Sequence, residues 1–339
     1  MKLWITGSGE VTPASGEAFK SARIACEDNR EPRLVHPEYP LREGFGSKKT
    51  RWLDRASLFW INAVRECLKE IPDGRKSEVG QVLGSTWGPT KPSVELEEAI
   101  YHGGFQSMPP AVFPNSVGNA PAGHAALLLG IKGPVIAVSA KESAGIAAIV
   151  EACRLVSSGR LKDCIAGAAD HLDDFLIRVL SSLRGKGAAP PGEGAYALMV
   201  TGAEDRPSDS TVQVSGWTTL STPTPPHKFP DPPGPLMDDV LDRLLRQSGW
   251  RREDVDLVTI PGDTNDLRSN CCPWLESRLP KCEVLEFQHE LGACGASWVG
   301  AVSRAAKRIE RGESSKVILI SLSTGGSAAG LALLSPDKV

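Results

Sequence analysis

The feature that most constrains this chain is an alternation of short apolar strands with longer helix-patterned segments, run through twice. In the first series, Lys2–Thr6 reads as an opening strand that stops at Gly7-Ser8-Gly9. Arg51–Ile71 carries Leu53, Ala56, Phe59, Trp60, Ala63, Val64, Cys67 and Leu68 at three- and four-residue steps. That is the period of a helix with one buried face, and Pro72-Asp73-Gly74 ends it. Strands are expected at Val79–Leu83, Val135–Val138, Asp163–Ala168 and Tyr196–Val200, and helices at Val94–Tyr101, Ala120–Leu129 and Glu142–Ser158. The second series has strands at Thr211–Trp217, Val255–Ile260, Glu283–Phe287, Lys316–Ser321 and Ala328–Leu334, and helices at Asp238–Gly249 and Gly292–Arg311. Strands separated by helices need crossover connections, so the expected class is α/β with largely parallel central sheets. The two series divide near Asp205–Ser210, which gives halves of 1–205 and 206–339 in one compact unit.

Composition narrows the function. With 38 basic and 41 acidic residues the formal charge is −3, which gives no general electrostatic reason to bind nucleic acid or an anionic membrane. Apolar runs are broken by Gly, Pro or charge before they reach a membrane-spanning length, and Met1–Gly7 holds too short an apolar run for a signal peptide. A cytoplasmic protein is expected. Cysteines at 26, 67, 153, 164, 271, 272, 282 and 294 include no Cys-x-x-Cys pair, so free thiols are expected rather than disulfides. Cys271, Cys272, Cys282 and His289 lack structural-zinc spacing, and no metal or cofactor is expected. Seven prolines fall between Thr222 and Pro235, in a segment that also holds His227 and Phe229 and reads as an ordered loop.

The stretch Val138-Ser139-Ala140-Lys141-Glu142-Ser143-Ala144-Gly145 is a strand, a tight turn and a helix start. Such an elbow presents its turn residue at a helix N-terminus, where free N–H groups favour negative charge. The candidates there are Glu142 and Ser143. A structural capping carboxylate is the plain alternative.

Several motifs around this elbow are distinctive in order and spacing. They are Ile5-Thr6-Gly7 with Val11-Thr12-Pro13, Lys49–Arg55, Asn115–Pro134, Ala166-Gly167-Ala168-Ala169-Asp170, Gly192-Glu193-Gly194-Ala195, and His289-Glu290-Leu291-Gly292-Ala293-Cys294-Gly295-Ala296. Together they resemble the β-ketoacyl-acyl carrier protein synthases over nearly the whole chain. The resemblance implies a thiolase-like fold, two similar βαβαβ-type halves in a layered αβαβα arrangement.

Departures from the family carry as much information. The resemblance places Glu142 where the condensing enzymes have their nucleophilic cysteine. Pro261, in Pro261-Gly262-Asp263-Thr264-Asn265, stands in place of the first of two histidines, and His289 matches the second. Thr324 replaces the phenylalanine of a Gly-Phe-Gly-Gly gate. A carboxylate cannot hold an acyl group as a thioester, and proline offers neither donor nor base. Condensation by this chain alone is therefore not expected.

The family also contains chain-length factors, inactive partners of ketosynthases that carry glutamine at the elbow. This sequence is similar to them, with Glu in place of Gln. Lys141 is a candidate to hold that Glu as an anion. The resemblance implies a partner, either an active ketosynthase or a second copy of this chain, together with an acyl carrier protein. It implies that Phe113, Asn115, Ser116 and Thr324 line an acyl or polyketide tunnel, and that Val135–Val138 pairs across a dimer. Two other readings stay open. Glu142 and His289 could act as an acid–base pair on acyl or malonyl thioesters, or the chain could be a non-catalytic homodimer that binds carriers through Lys48, Lys49, Arg51 and Arg55.

Overall fold

The computed structural model describes residues 1–13, 32–36, 39–71, 73–183, 188–204, 207, 212–261 and 265–338. Cys26, Pro72, Thr211, most of the expected division at 205–210, and Gly262-Asp263-Thr264 lie outside them. In chain order the elements are β1 (Lys2–Val11), α1 (Ser47–Thr50), α2 (Arg55–Cys67), α3 (Asp73–Lys76), β2 (Gly80–Ser85), α4 (Thr90–Gly103), α5 (Ala120–Leu129), β3 (Val135–Ser139), α6 (Ala144–Ser157), β4 (Asp163–Asp170), α7 (Asp174–Leu183) and β5 (Gly194–Ala203). They continue with β6 (Val212–Ser221), α8 (Gly234–Ser248), β7 (Leu257–Thr259), α9 (Asn265–Arg278), β8 (Glu283–Val284), α10 (Gln288–Leu291), α11 (Gly295–Glu310), β9 (Lys316–Leu322) and β10 (Ser327–Leu334).

The strands hydrogen-bond in the order β3-β2-β4-β5-β1-β6-β10-β9-β7-β8. Counted from each outer edge inwards, both sets of five run third, second, fourth, fifth, first. The senses repeat as well. β2 is parallel to β3 and β4, as β7 is to β8 and β9. The remaining neighbours, including the β1–β6 pair that joins the two sets, are antiparallel. The sheet is thus mixed rather than largely parallel. β9 and β10 are joined only by Ser323–Gly326, a connection too short for a crossover.

Alternation along the strands sorts the core into layers. Cys164 and Ala166 of β4, and Val317 and Leu319 of β9, pack with Ile146, Ile149 and Val150 of α6 and Trp298, Val299 and Val302 of α11. Ile165 turns the other way, onto Phe59, Trp60 and Ala63 of α2 and Ala122 and Ala125 of α5. Ile318 and Ile320 turn onto Val240, Leu241 and Leu244 of α8 and Cys271 and Trp274 of α9. The central layer is therefore α6 with α11, apolar on more than one side because a sheet half covers each face. The thiolase-like layered α/β fold is present.

Some elements differ from the sequence expectation. β1 runs on through Gly7-Ser8-Gly9 to Val11, with a register shift between Ile5 and Gly7. Gly9 is not a turn residue: a Cβ there would lie 2.0 Å from the Ala63 carbonyl oxygen, because α2 packs directly onto the strand. Helix α9 was not anticipated. Its buried stripe, Leu267, Cys271 and Trp274, is sparse, and Pro273 sits inside it. The proline-rich segment is ordered and leads into α8, which starts at Gly234 rather than Asp238. Among the described residues no two cysteines form a disulfide. None of the described helices is long and apolar enough to cross a membrane.

Candidate functional site

The elbow is built as the sequence implies. β3 ends at Ser139, a single 3-10 turn spans Lys141–Ser143, and α6 begins at Ala144. Lys141 holds a left-handed backbone at φ 49°, which costs a side-chain-bearing residue on the order of 1 kcal/mol or more. The turn is tied to the connection between β9 and β10. The backbone N–H of Ser143 donates to Ser323 Oγ at 2.8 Å, and that hydroxyl donates to the Ala140 carbonyl at 2.7 Å. Glu142 is only 8% exposed. Its Oε2 accepts the backbone N–H of Thr324 at 3.1 Å and the Thr324 hydroxyl at 3.3 Å. Lys141 does not pair with Glu142: its Nζ donates to the Pro226 carbonyl.

His289 is solvent-exposed on the short α10. Its backbone carbonyl accepts from Arg33 Nε at 3.0 Å, and the residue borders a small cleft with Ile260, Arg268, Val284 and Gln288. Among the described residues no hydrogen bond joins His289 to Glu142. Pro261 is buried just after β7. The four tunnel candidates do not meet at one place. Thr324 belongs to the elbow. Phe113 is exposed, and Ser116 donates back to its carbonyl at 2.8 Å. Asn115 is buried, donates from Nδ2 to the Trp52 carbonyl at 2.7 Å, and lines a separate cavity of about 830 Å³.

That cavity lies between the start of α2, α4 and the segment Pro109–Asn115. One wall is fixed by Arg55, which donates from Nη2 to buried Glu193 Oε1 at 2.9 Å and to the Val35 carbonyl at 2.8 Å. His171 faces the same cavity and packs edge-on against Phe59. Burial pushes its imidazole down to about 3, with Arg55 and Lys91 adding to the effect. The native ring stays neutral while the unfolded one, with its ordinary 6.5, takes up a proton as the pH falls. Stability present above that value is therefore lost on acidification towards 3, by about 2 kcal/mol at about pH 5. Urea midpoints compared at neutral and mildly acidic pH should show this loss in the wild type. His171→Gln should remove it, and equal acid limbs in the two proteins would refute the assignment.

Sequence reasoning quoted Asp170 only as part of a motif and missed its place in the structure. It ends β4 fully buried. Its carboxylate accepts from Thr86 N–H at 2.7 Å, Ser85 Oγ at 3.0 Å, Thr86 Oγ1 at 3.2 Å and Ala296 N–H at 3.0 Å. Burial pushes its pKa up, and these hydrogen bonds pull against the shift. Asp170 thus joins the end of β2 to the first turn of α11, where the helix dipole favours a carboxylate. An acidic residue closing an otherwise apolar strand was the available signal. No group of three or more His, Cys, Asp or Glu that could hold a metal ion occurs among the described residues.

Residues 14–188, just over half of the chain, match the family model of the β-ketoacyl synthase N-terminal domain. The chain belongs to the β-ketoacyl synthase family. It is 27% identical over 189 residues to 3-oxoacyl-[acyl-carrier-protein] synthase 2 of Vibrio harveyi, a match over 50% of this chain and 45% of that protein. The synthase 2 of Vibrio cholerae matches 32% of this chain and 27% of its own length at 26% identity. The chain thus spans less than half of the curated relatives it matches. Solved structures share the whole fold. A β-ketoacyl synthase from Burkholderia phymatum superposes with a TM-score of 0.81 at 17% identity, over 98% of this chain and 99% of that one. The ishigamide ketosynthase/chain length factor gives 0.80 at 16% identity with the same coverage. A type II polyketide synthase acyl carrier protein in complex with its hexaketide-bound ketosynthase gives 0.79 at 14% identity, again over 98% and 99%. In this β-ketoacyl synthase family member, the turn between β3 and α6 carries a buried carboxylate, Glu142.

Proposed function

We propose that this chain is a non-condensing ketosynthase-like subunit that pairs with an active ketosynthase and shapes the tunnel holding its acyl or polyketide chain. The observation that carries the reading is Glu142. The motif resemblance assigns it to the nucleophile position, and its carboxylate is engaged by both donors of Thr324. Pro261 supplies no proton donor or acceptor side chain, and His289 lies exposed on another element. The likeness to a ketosynthase/chain length factor and to a carrier-bound ketosynthase supports the partnership.

An apolar surface supports it as well. Tyr101, Phe105, Phe113, Val117 and Leu127 are exposed on α4, α5 and the segments between them. Beside α5, β3 forms the outer edge of the sheet, with Val135, Ile136 and Val138 only half-buried. An open edge next to a run of large apolar side chains is what a partner would cover. Lys48, Lys49 and Arg51 are exposed near the cavity mouth, and Arg51 stacks on Trp52 at 4.5 Å, a surface suited to an acidic carrier.

Co-expression with an intact ketosynthase tests the proposal. The two chains should co-elute as one species on size exclusion, and Leu127→Glu should separate them. Removing this chain should change the length distribution of the products. A chain that elutes alone, with product lengths unchanged by its removal, refutes the reading.

A further inference from the structure

The proline-rich segment is tied to the elbow and to the β9–β10 turn through its backbone, as its composition requires. Pro223, Pro225 and Pro226 bring no backbone N–H, so the loop has few donors of its own and must be held by its carbonyls. Residues 225–228 are exposed and lack apolar anchorage until Phe229 and Pro230. Among the described residues, three backbone-directed bonds tie the segment down. The Thr222 N–H donates to the Gly326 carbonyl at 2.9 Å, and the Lys228 carbonyl accepts the Gly325 N–H at 2.8 Å. The third is Lys141 Nζ to the Pro226 carbonyl. The first two bind the segment to the β9–β10 turn. Only the third, of these, crosses to the elbow itself, and it comes from the one described non-glycine residue with a positive φ. The strained backbone places the Lys141 side chain beside both Pro226 and Gly325, whose added Cβ would lie 3.3 Å from Nζ.

We propose that Lys141 is a latch: its ammonium pins the segment Thr222–Lys228 as a closed lid across the Glu142 elbow, and releasing that bond opens the elbow to solvent. The inference rests on the reading of the elbow as a non-condensing centre and adds its regulation. With the latch shut, the segment is bonded to Lys141 and Gly325, the chain neighbours of Glu142 and Thr324. A carbonyl acceptor makes the latch independent of the loop's side chains, since any residue at 226 offers the same oxygen. It depends instead on a long cationic side chain at 141.

Hydrogen–deuterium exchange on the full chain tests this with three variants. Lys141→Met keeps length and removes the donor. Lys141→Gly removes the side chain and adopts the positive φ without strain. Lys141→Arg restores a donor. In the Met and Gly variants, peptides covering 222–229 and 323–326 should exchange about tenfold faster than in the wild type, while β5 and β9 keep their protection. The Arg variant should return towards wild-type rates. Unchanged exchange in the Met and Gly variants overturns the proposal. So does acceleration in the Met variant alone, which would trace the effect to backbone strain, and so does equal acceleration in β5, which would mean general destabilisation. Co-elution with the ketosynthase is a separate readout, so failure of the latch and failure of the partnership are distinguishable.

Discussion

Gly145→Val is expected to remove the native fold or to cost at least about 4 kcal/mol, the largest effect among the substitutions considered. Gly145 lies in the first turn of α6, where that helix meets the start of α11. A Cβ at this position would sit 2.2 Å from the Gly295 carbonyl oxygen and 2.7 Å from Val299 Cγ2. The nearest obstacle is backbone, which cannot rotate away as a side chain would. Gly295 is itself confined, with a Cβ there meeting Thr86 Oγ1 at 2.8 Å and Ala144 Cβ at 3.2 Å. Relief would require α6 and α11 to separate, and they form the layer shared by both sheet halves. The damage would therefore reach the whole core. Gly123→Ala in α5 is the matched control, since nothing lies within 4 Å of its added Cβ. It should gain up to about 1 kcal/mol from helix propensity. Equilibrium urea unfolding of both variants measures the contrast, and a Gly145→Val protein as stable as the control would show that the helices do not meet there.

Asp170→Ala is expected to cost about 3–5 kcal/mol and to loosen the elbow's surroundings. The carboxylate satisfies donors from Ser85, Thr86 and Ala296 in a fully buried position, and alanine would leave them without an acceptor. Each buried donor left unmade costs about 1–3 kcal/mol, less what the small polar groups recover by rearranging. Asp170→Asn keeps one acceptor oxygen and should lose roughly half as much. Thr86 Oγ1 also lies against the Gly295 N–H, so the change should reach the first turn of α11. Denaturant midpoints and exchange at Thr86 and Ala296 check both points. If Asp170→Ala matched the wild type in each, Asp170 would not be the joint between β2 and α11.

Most of the architecture was legible because it follows from local pattern. The three- and four-residue steps of Phe59, Trp60, Ala63 and Val64 mark α2 wherever it packs, and Val135–Val138 reads as β whichever neighbour it pairs with. The elbow was legible too, since a strand, a tight turn and a helix start can be read around Glu142 without any coordinates. Where local pattern was weak, elements were missed or misjudged. The α9 stripe relies on a cysteine and a tryptophan around a proline, and β1 passes through Gly7 and Gly9, the second of which lets Ala63 of α2 approach.

The site divides along the same line. Sequence alone determined which residue types occupy the elbow, and that Pro261 and Thr324 stand at two further positions singled out by resemblance. It also showed that the turn itself, Lys141-Glu142-Ser143, holds no thiol, because residue identity requires no coordinates. Only the tertiary structure decided what those residues do to one another. Lys141 reaches Pro226, 85 positions away, rather than its neighbour Glu142, and Glu142 finds its donors at Thr324, 182 positions away. The partner of a side chain at a turn is set by the direction in which the backbone aims it and by which loops arrive there. Both depend on two sheet halves closing around α6 and α11, a long-range condition that no local spacing encodes.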